Sequence, residues 1–382
     1  MSALAERLGP LRCQLPGRDT ELPLAAPESE AALVELIQEA SAGGLKVLPI
    51  GNGTRLGGVF GAPADLLLST RALSGVVAYE PGDGTVTALA GTTMSDLAGA
   101  VAVGGHRLTP DVPRPREATL GGVIADGLSG GDRLRFGPTR HHVLGMRVLS
   151  SDGEITKTGG RLVKNVTGFE LHRLYAGSGG SLCLILEASL RLFAAPAARA
   201  CATFTCSSLE AALDIAERLS APPLEPTAVY LSRKESSWSL IASLDGRSER
   251  VERERALVEE RTQGAAWCEG ADADALYTTA RDEAPRETEA SALRISVRPS
   301  RVQQVLHLLL RHSPNSAPYV HPLAGTVEVI TDVDSALCAE LRALGASVRV
   351  RGAADPGAAG ASALEGRLKK AVDPHGIFCG EA

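Results

Sequence analysis

Glycine is distributed very unevenly along this chain: 30 of its 41 glycines fall in residues 1–195 and only 11 in the rest. Without a Cβ, glycine accepts positive φ and lets other groups approach the main chain, so a stretch this rich in it makes many tight passages between short elements. A sheet-rich α+β unit whose loops meet a ligand through their backbone fits well, and the remainder of the chain must be built differently.

At 382 residues the chain can hold at least two cores. In the first half Leu33, Leu36, Ile37 and Ala40 recur at helical spacing, and Gly43-Gly44 stops the helix. Strands are expected at 46–50, 66–69, 76–79 and 86–89, with a turn at Pro81-Gly82-Asp83-Gly84, and further strands at 143–149, 154–157 and 182–192. A helix over 95–103 should end at Gly104-Gly105. From about 196, longer helical patterns at 209–219, 248–261, 301–312 and 334–344 alternate with strands at 228–231, 238–243, 293–297 and 326–330. Two such helix–strand units predict a small sheet with helices on one face. The expected domains are therefore 1–195, 196–351, and a Gly- and Ala-rich link with a last helix and tail over 352–382.

Composition removes several function classes. The 39 basic and 45 acidic residues give a net charge of −6, and the basic ones are scattered, so a nucleic-acid partner is not expected. No run of about 18 apolar residues offers a membrane span. Glu6, Arg7, Pro10, Arg12, Pro16, Arg18 and Asp19 break up the start and leave no apolar core for a secretory signal, so a cytoplasmic place is expected. The seven cysteines form no CxxC pair, which argues against a disulfide framework and against zinc or iron-sulfur ligation. Cys201 and Cys206 stand an odd number of positions apart in a strand-like stretch, hence on opposite faces.

Three glycine clusters carry the chemistry. The first, Pro49 to Gly58, follows a strand and can aim several N–H groups at a pyrophosphate, though a tight turn between strands would use the same residues. Its G-x-G-x-x-x-G spacing is one residue too long for the Rossmann fingerprint, Pro63 falls where that helix would run, and no Walker sequence occurs. The second cluster, Ala118 to Gly130, has small residues and hydroxyls that would lie flat against a ring. The third runs from Arg161 through Lys164-Asn165 and Gly168 to Gly177-Ser178-Gly179-Gly180 and on to Glu187.

With P-x-G-x-G-[ST] at 49–54, T-x-G-G at 119–122 and K-N-x-x-G-[YF]-[DE]-L at 164–171, the chain resembles the FAD-binding family that includes vanillyl-alcohol oxidase and p-cresol methylhydroxylase. Within it the resemblance is to the D-2-hydroxy-acid dehydrogenase branch and its FAD-binding subunits of glycolate oxidases. The resemblance implies an α+β fold: a two-subdomain FAD-binding domain of the PCMH type, followed by a smaller α/β cap domain. Carried over by motif, Gly51, Asn52, Gly53, Thr54 and Arg55 would contact phosphates. Thr119, Gly121, Gly122, Ala125, Gly127 and Ser129 would line the flavin and ribityl chain, and Ile185 would lie near the adenine. Lys164 would place a cation near the pyrimidine edge of the reduced flavin. No histidine stands beside Gly57-Gly58, so FAD is expected to be noncovalent. The implied reaction is oxidation of a small 2-hydroxy acid in a complex with a sister FAD subunit and an iron-sulfur subunit, peripheral to the inner membrane through those partners. A free-standing FAD oxidoreductase and a non-catalytic assembly subunit are the alternatives. Tyr319-Val320-His321-Pro322 resembles the first part of the branch's metal motif and lacks the second histidine, so no metal is expected, His321 reads as a loop residue packed on proline, and no catalytic residue is assigned.

Overall fold

In a computed structural model that describes residues 11–15, 21–56, 63–161, 169–235, 237–286, 292–351 and 363–379, the chain forms two units. One comprises Met1–Ser129, Pro138–Ala194 and Ala358–Ala382, and the other comprises Gly130–Gly137 and Ala195–Gly357.

The first unit has two principal sheets. Strands β1 (Arg12–Gln14), β2 (Glu21–Ala25), β3 (Val47–Ile50) and β4 (Leu66–Ser69) order as β1-β2-β4-β3, with β4 parallel to both of its neighbours. Helix α1 (Glu30–Gly43) covers this sheet. The Ser29 hydroxyl caps its start by accepting from the Ala32 N–H, Gly44 ends it in the left-handed region at φ 64°, and Leu33, Leu36, Ile37 and Ala40 form its buried stripe. That stripe packs with Val47, Leu66 and Leu68.

The second sheet is antiparallel throughout: β5 (Val76–Glu80), β6 (Thr85–Leu89), β8 (Val143–Leu149), β9 (Ile155–Gly159) and β10 (Leu184–Arg191), in the order β5-β6-β10-β8-β9. Its core includes Met94, Leu97 and Val101 of α2 (Met94–Ala102) and Leu120, Val123 and Ile124 of α3 (Leu120–Asp126). A short ribbon pairs β7 (His106–Arg107) with β11 (Phe193–Ala194), and α5 (Leu171–Tyr175) adds Tyr175 to the same core.

The chain returns to this unit after the second one. Beyond α11 (Ala363–Val372), Phe378 bridges Val47 in parallel, with Val47 N–H donating to Ile377 O at 2.7 Å and Cys379 N–H to Val47 O at 3.0 Å. The buried Asp373 carboxylate accepts from the N–H groups of Ile377 and Phe378 and from Lys369, whose Nζ also donates to Ser181 O and, at 2.6 Å, to Phe378 O.

The second unit is one eight-stranded antiparallel sheet. Its strands are β12 (Ala198–Cys206), β13 (Ala228–Lys234), β14 (Ser237–Gly246), β15 (Ala266–Glu269), β16 (Ala292–Ser296), β17 (Tyr319–His321), β18 (Thr326–Ile330) and β19 (Ser347–Arg351), ordered β15-β12-β14-β13-β17-β18-β16-β19. Helices α6 (Leu209–Ser220), α7 (Ser248–Arg261), α9 (Val302–His312) and α10 (Ser335–Ala343) share a core with one face. Helix α8 (Gly270–Asp282) lies on the other face, where Ala273, Tyr277 and Ala280 pack with Cys201, Tyr230 and Tyr319. This corrects the sequence reading in two respects: the sheet has twice the four expected strands, and one helix crosses to the second face. The physical reason is the alternation along β12. Ala200, Ala202, Phe204 and Cys206 join one core while Cys201 joins the other, so both faces need cover. The segment 130–137, which contains α4 (Arg133–Phe136), is held by Arg135 Nη1 donating to the main-chain oxygen of Asp245 at 2.8 Å and to its carboxylate at 3.1 Å.

Candidate functional site

The three glycine clusters of the first unit come together. The loop after β3 lies flush on the second cluster, so that a Cβ on Gly51 would stand 2.0 Å from Thr119 Oγ1. Ser69 Oγ donates to Gly51 O at 2.8 Å, and Asn52 Nδ2 donates to Glu117 O at 3.1 Å. Thr119 caps α3, its hydroxyl accepting from Gly122 N–H at 3.3 Å, while Gly121 donates to Ala90 O and has no room for a side chain beside Ala90 Cβ. Gly127 ends α3 at φ 64°, and its absent Cβ would come 3.2 Å from Gly177 Cα. From the third cluster, Gly177 N–H donates to Ile124 O and Gly179 N–H to Ala125 O, and Gly180 rests against Pro49. Ser129 Oγ accepts from Thr139 N–H at 3.1 Å, which pins the end of the second cluster.

The N–H groups of Gly51, Asn52 and Gly53 meet no acceptor among the described residues. Main-chain donors without a protein acceptor, on a loop where glycines leave the backbone approachable, are what an anionic dinucleotide needs, so the residues present fit such a group. Arg55 stands differently from the phosphate role expected of it, with Nε 3.6 Å from Asp126 Oδ2 and both side chains largely buried. Ile185 lies on β10, in the apolar core that also holds Leu120, Val123 and Ile124 of α3. Lys164, Gly57 and Gly58 lie outside the described residues.

A cavity of about 800 Å³ opens beside Asn52. Leu24 and Leu36 line its apolar side, and Glu28, Arg71, Ser74, Thr93 and Asp96 give it polar groups. Of these, sequence reasoning singled out only Asn52, because the others stand outside any glycine pattern. The one readable signal was the helix start at Thr93, whose hydroxyl accepts from Asp96 N–H at 3.1 Å.

The second unit has its own buried polar cluster. Contrary to expectation, His321 is the last residue of β17 and not a loop residue. Its ring centroid stands 5.2 Å from that of Tyr230 and 5.1 Å from that of Tyr319. Burial pushes its imidazole down to about 4, against the pull of Glu328 and with the help of Arg294 and Arg133, and its Nδ1 finds no partner among the described residues. Burial also holds the Tyr319 hydroxyl well above the usual phenol range. Arg294 and Glu328 are register partners on β16 and β18, with Nε 3.7 Å from Oε1. Opposed buried charges on adjacent strands are visible in a sequence only once the register is known. Among the described residues no group of three or more His, Cys, Asp or Glu side chains could hold a metal ion.

Comparison with known proteins bears on the first unit. Residues 23–159 match the family described as FAD binding domain. Over 285 residues the chain is 27% identical to glycolate oxidase subunit GlcD of Bacillus subtilis, a match covering 70% of this chain and 58% of that protein. It is 36% identical over 151 residues to glycolate oxidase subunit GlcE of Escherichia coli, covering 39% and 43% respectively. To D-2-hydroxyglutarate dehydrogenase of Xanthomonas citri pv. viticola it is 32% identical over 172 residues, covering 45% and 36%. The matches thus span about a third to three-fifths of these relatives' lengths. A solved structure of alkyldihydroxyacetonephosphate synthase superposes with a TM-score of 0.73 at 15% identity, covering 94% of this chain and 77% of that one, which shows a shared fold. Residues 23–159 therefore belong to the FAD-binding domain family, in a fold of the PCMH type, and the cofactor of this domain is FAD.

Proposed function

We propose that the chain is the FAD-binding subunit of an oxidoreductase complex that oxidises a small 2-hydroxy acid, with glycolate the first substrate to test. The observation that carries this reading is the convergence of three glycine clusters, one of them with N–H groups at Gly51, Asn52 and Gly53 that meet no acceptor among the described residues, in a domain whose relatives include two glycolate oxidase subunits. Bound FAD supplies a two-electron acceptor for the CH–OH group. The protein's own residues do the rest. Gly51, Asn52 and Gly53 donate N–H groups to phosphate oxygens, and Thr54 adds a hydroxyl. The Arg55–Asp126 pair ties that loop to α3. Thr119, Gly121, Gly122, Ala125, Gly127 and Ser129 present main chain and small groups to the ring and ribityl chain, and Ile185 backs the adenine end. Lys164 holds positive charge at the pyrimidine edge. With no histidine beside Gly57-Gly58, the attachment is noncovalent.

In this reading electrons leave the chain for an iron-sulfur subunit, beside a sister FAD subunit. No helix among the described residues is long and apolar enough to cross a membrane. We place the complex in the cytoplasm, at the inner membrane through its partners, with the second unit serving as cap for substrate or partner. The test is the visible spectrum of the purified chain under anaerobic conditions before and after glycolate. Bleaching of the flavin bands makes the chain competent alone. A protein that stays colourless after reconstitution with FAD overturns the cofactor site. The missing second histidine after His321 favours one further reading, a flavin-fold assembly subunit, whose signature is flavin bands that persist until a sister subunit is added.

A further inference from the structure

Two cysteines face each other in the second unit. Cys201 of β12 and Cys268 of β15 are direct register partners in an antiparallel pair. Side chains opposite each other in such a pair leave the sheet on the same side, and both pack into the cluster covered by α8. Antiparallel partners have Cα atoms about 4.5 or 5.5 Å apart, and both spacings fall inside the range that a disulfide spans, roughly 4.4–6.8 Å. Their settings differ. Cys201 is fully buried, with its Sγ 3.5 Å from the Ala273 carbonyl oxygen, and burial pushes its thiol up to about 11. Cys268 is half-buried on a four-residue strand at the edge of the sheet.

We propose that Cys201 and Cys268 form a peroxide-driven disulfide that staples the edge strand β15, and with it the start of α8, to β12. Hydrogen peroxide oxidises the accessible Cys268 thiol to a sulfenic acid and is itself reduced to water. The Cys201 sulfur then attacks the Cys268 sulfur, the S–S bond forms, and the sulfenic oxygen leaves as a second water with the remaining thiol proton. Two thiols lose two electrons and two protons, and one peroxide becomes two waters. This site is independent of the flavin reading, because it needs only the sheet register and an external peroxide.

The test treats the full chain with hydrogen peroxide, adds dimedone only after the peroxide is spent to trap any sulfenic acid that persists, and maps non-reduced tryptic peptides by tandem mass spectrometry. The expected result is a cross-link between peptides 200–218 and 262–281, lighter than the two reduced peptides by two hydrogens, with free thiols falling from seven to five per chain. Peptide 200–218 also contains Cys206, so fragmentation must place the bond on Cys201; Cys206 faces the other core and its Ser variant should cross-link as well as the parent. In Cys268→Ser the cross-link disappears and Cys201 stays a free thiol at the same dose. Dimedone-trapped Cys268 beside an untouched Cys201, no reaction at either residue, or a bond from Cys268 to any other cysteine overturns the proposal.

Discussion

The two units solve the same problem of burying a sheet, but with opposite use of glycine. In the first unit Gly51, Gly121 and Gly127 sit where another segment closes on the main chain, through Thr119, Ala90 and Gly177 respectively, and the loops they form are the candidate site. In the second, Gly325 sits at φ 68° with Val297 O 1.9 Å from where its Cβ would be, a tight passage from β17 to β18 that serves the sheet. The lesson is that a positional glycine marks a site only when another loop of the site closes on it.

Substitutions can break this contrast, and the largest effect belongs to the sheet glycine. Gly325→Ala combines an unfavourable φ with a backbone clash and should cost about 4 kcal/mol of stability, read by urea melts. Loss of FAD with unchanged stability would place Gly325 with the cofactor loops and break the distinction. Next comes the buried His321. Its folded pKa of about 4 lies below the ordinary 6.5, so the unfolded chain binds more protons between those values. Stability is fully present above pH 6.5 and falls as pH drops toward about 4, by about 3 kcal/mol in all. A His321→Gln variant should show a flatter pH profile, and an unchanged slope would remove His321 as its source.

Gly51→Ala should reverse the pattern. The intruding methyl meets the Thr119 side chain, which can yield, so folding survives while FAD affinity drops about tenfold, or about 1.4 kcal/mol, in a flavin fluorescence titration. Thr119→Ala in the same background should recover part of that loss, whereas unfolding of Gly51→Ala would make it another sheet glycine. Smallest of all is Asp214→Asn, which breaks an exposed ion pair with Arg218 on α6 and should cost at most about 0.5 kcal/mol.

The same contrast explains what the sequence disclosed. Helix α1 was legible because its serine cap, its apolar stripe and its glycine stop agree, and the three clusters were legible because glycine chemistry is local. Strands β15 and β17 were not, since AWCE and YVH are short and lack the run of branched aliphatic residues that marked β3 and β4. Helix α8 was missed because its buried residues, Ala273, Tyr277, Ala280 and Arg281, make only a faint apolar stripe. At the site, Asn52 could be read from its loop, but Arg71 and Asp96 reach the cavity only through tertiary placement. The Arg55–Asp126 pair joins two clusters by a contact that no spacing rule anticipates.

The return of residues 363–379 to the first unit bears on how the protein is made. Phe378 and Ile377 complete the core beside Val47, and Lys369 and Asp373 lock them there. A ribosome must therefore finish the whole second unit before the first can close. At usual elongation rates that is a wait of roughly 10–40 s, during which the apolar face beside Val47 is open to chaperones.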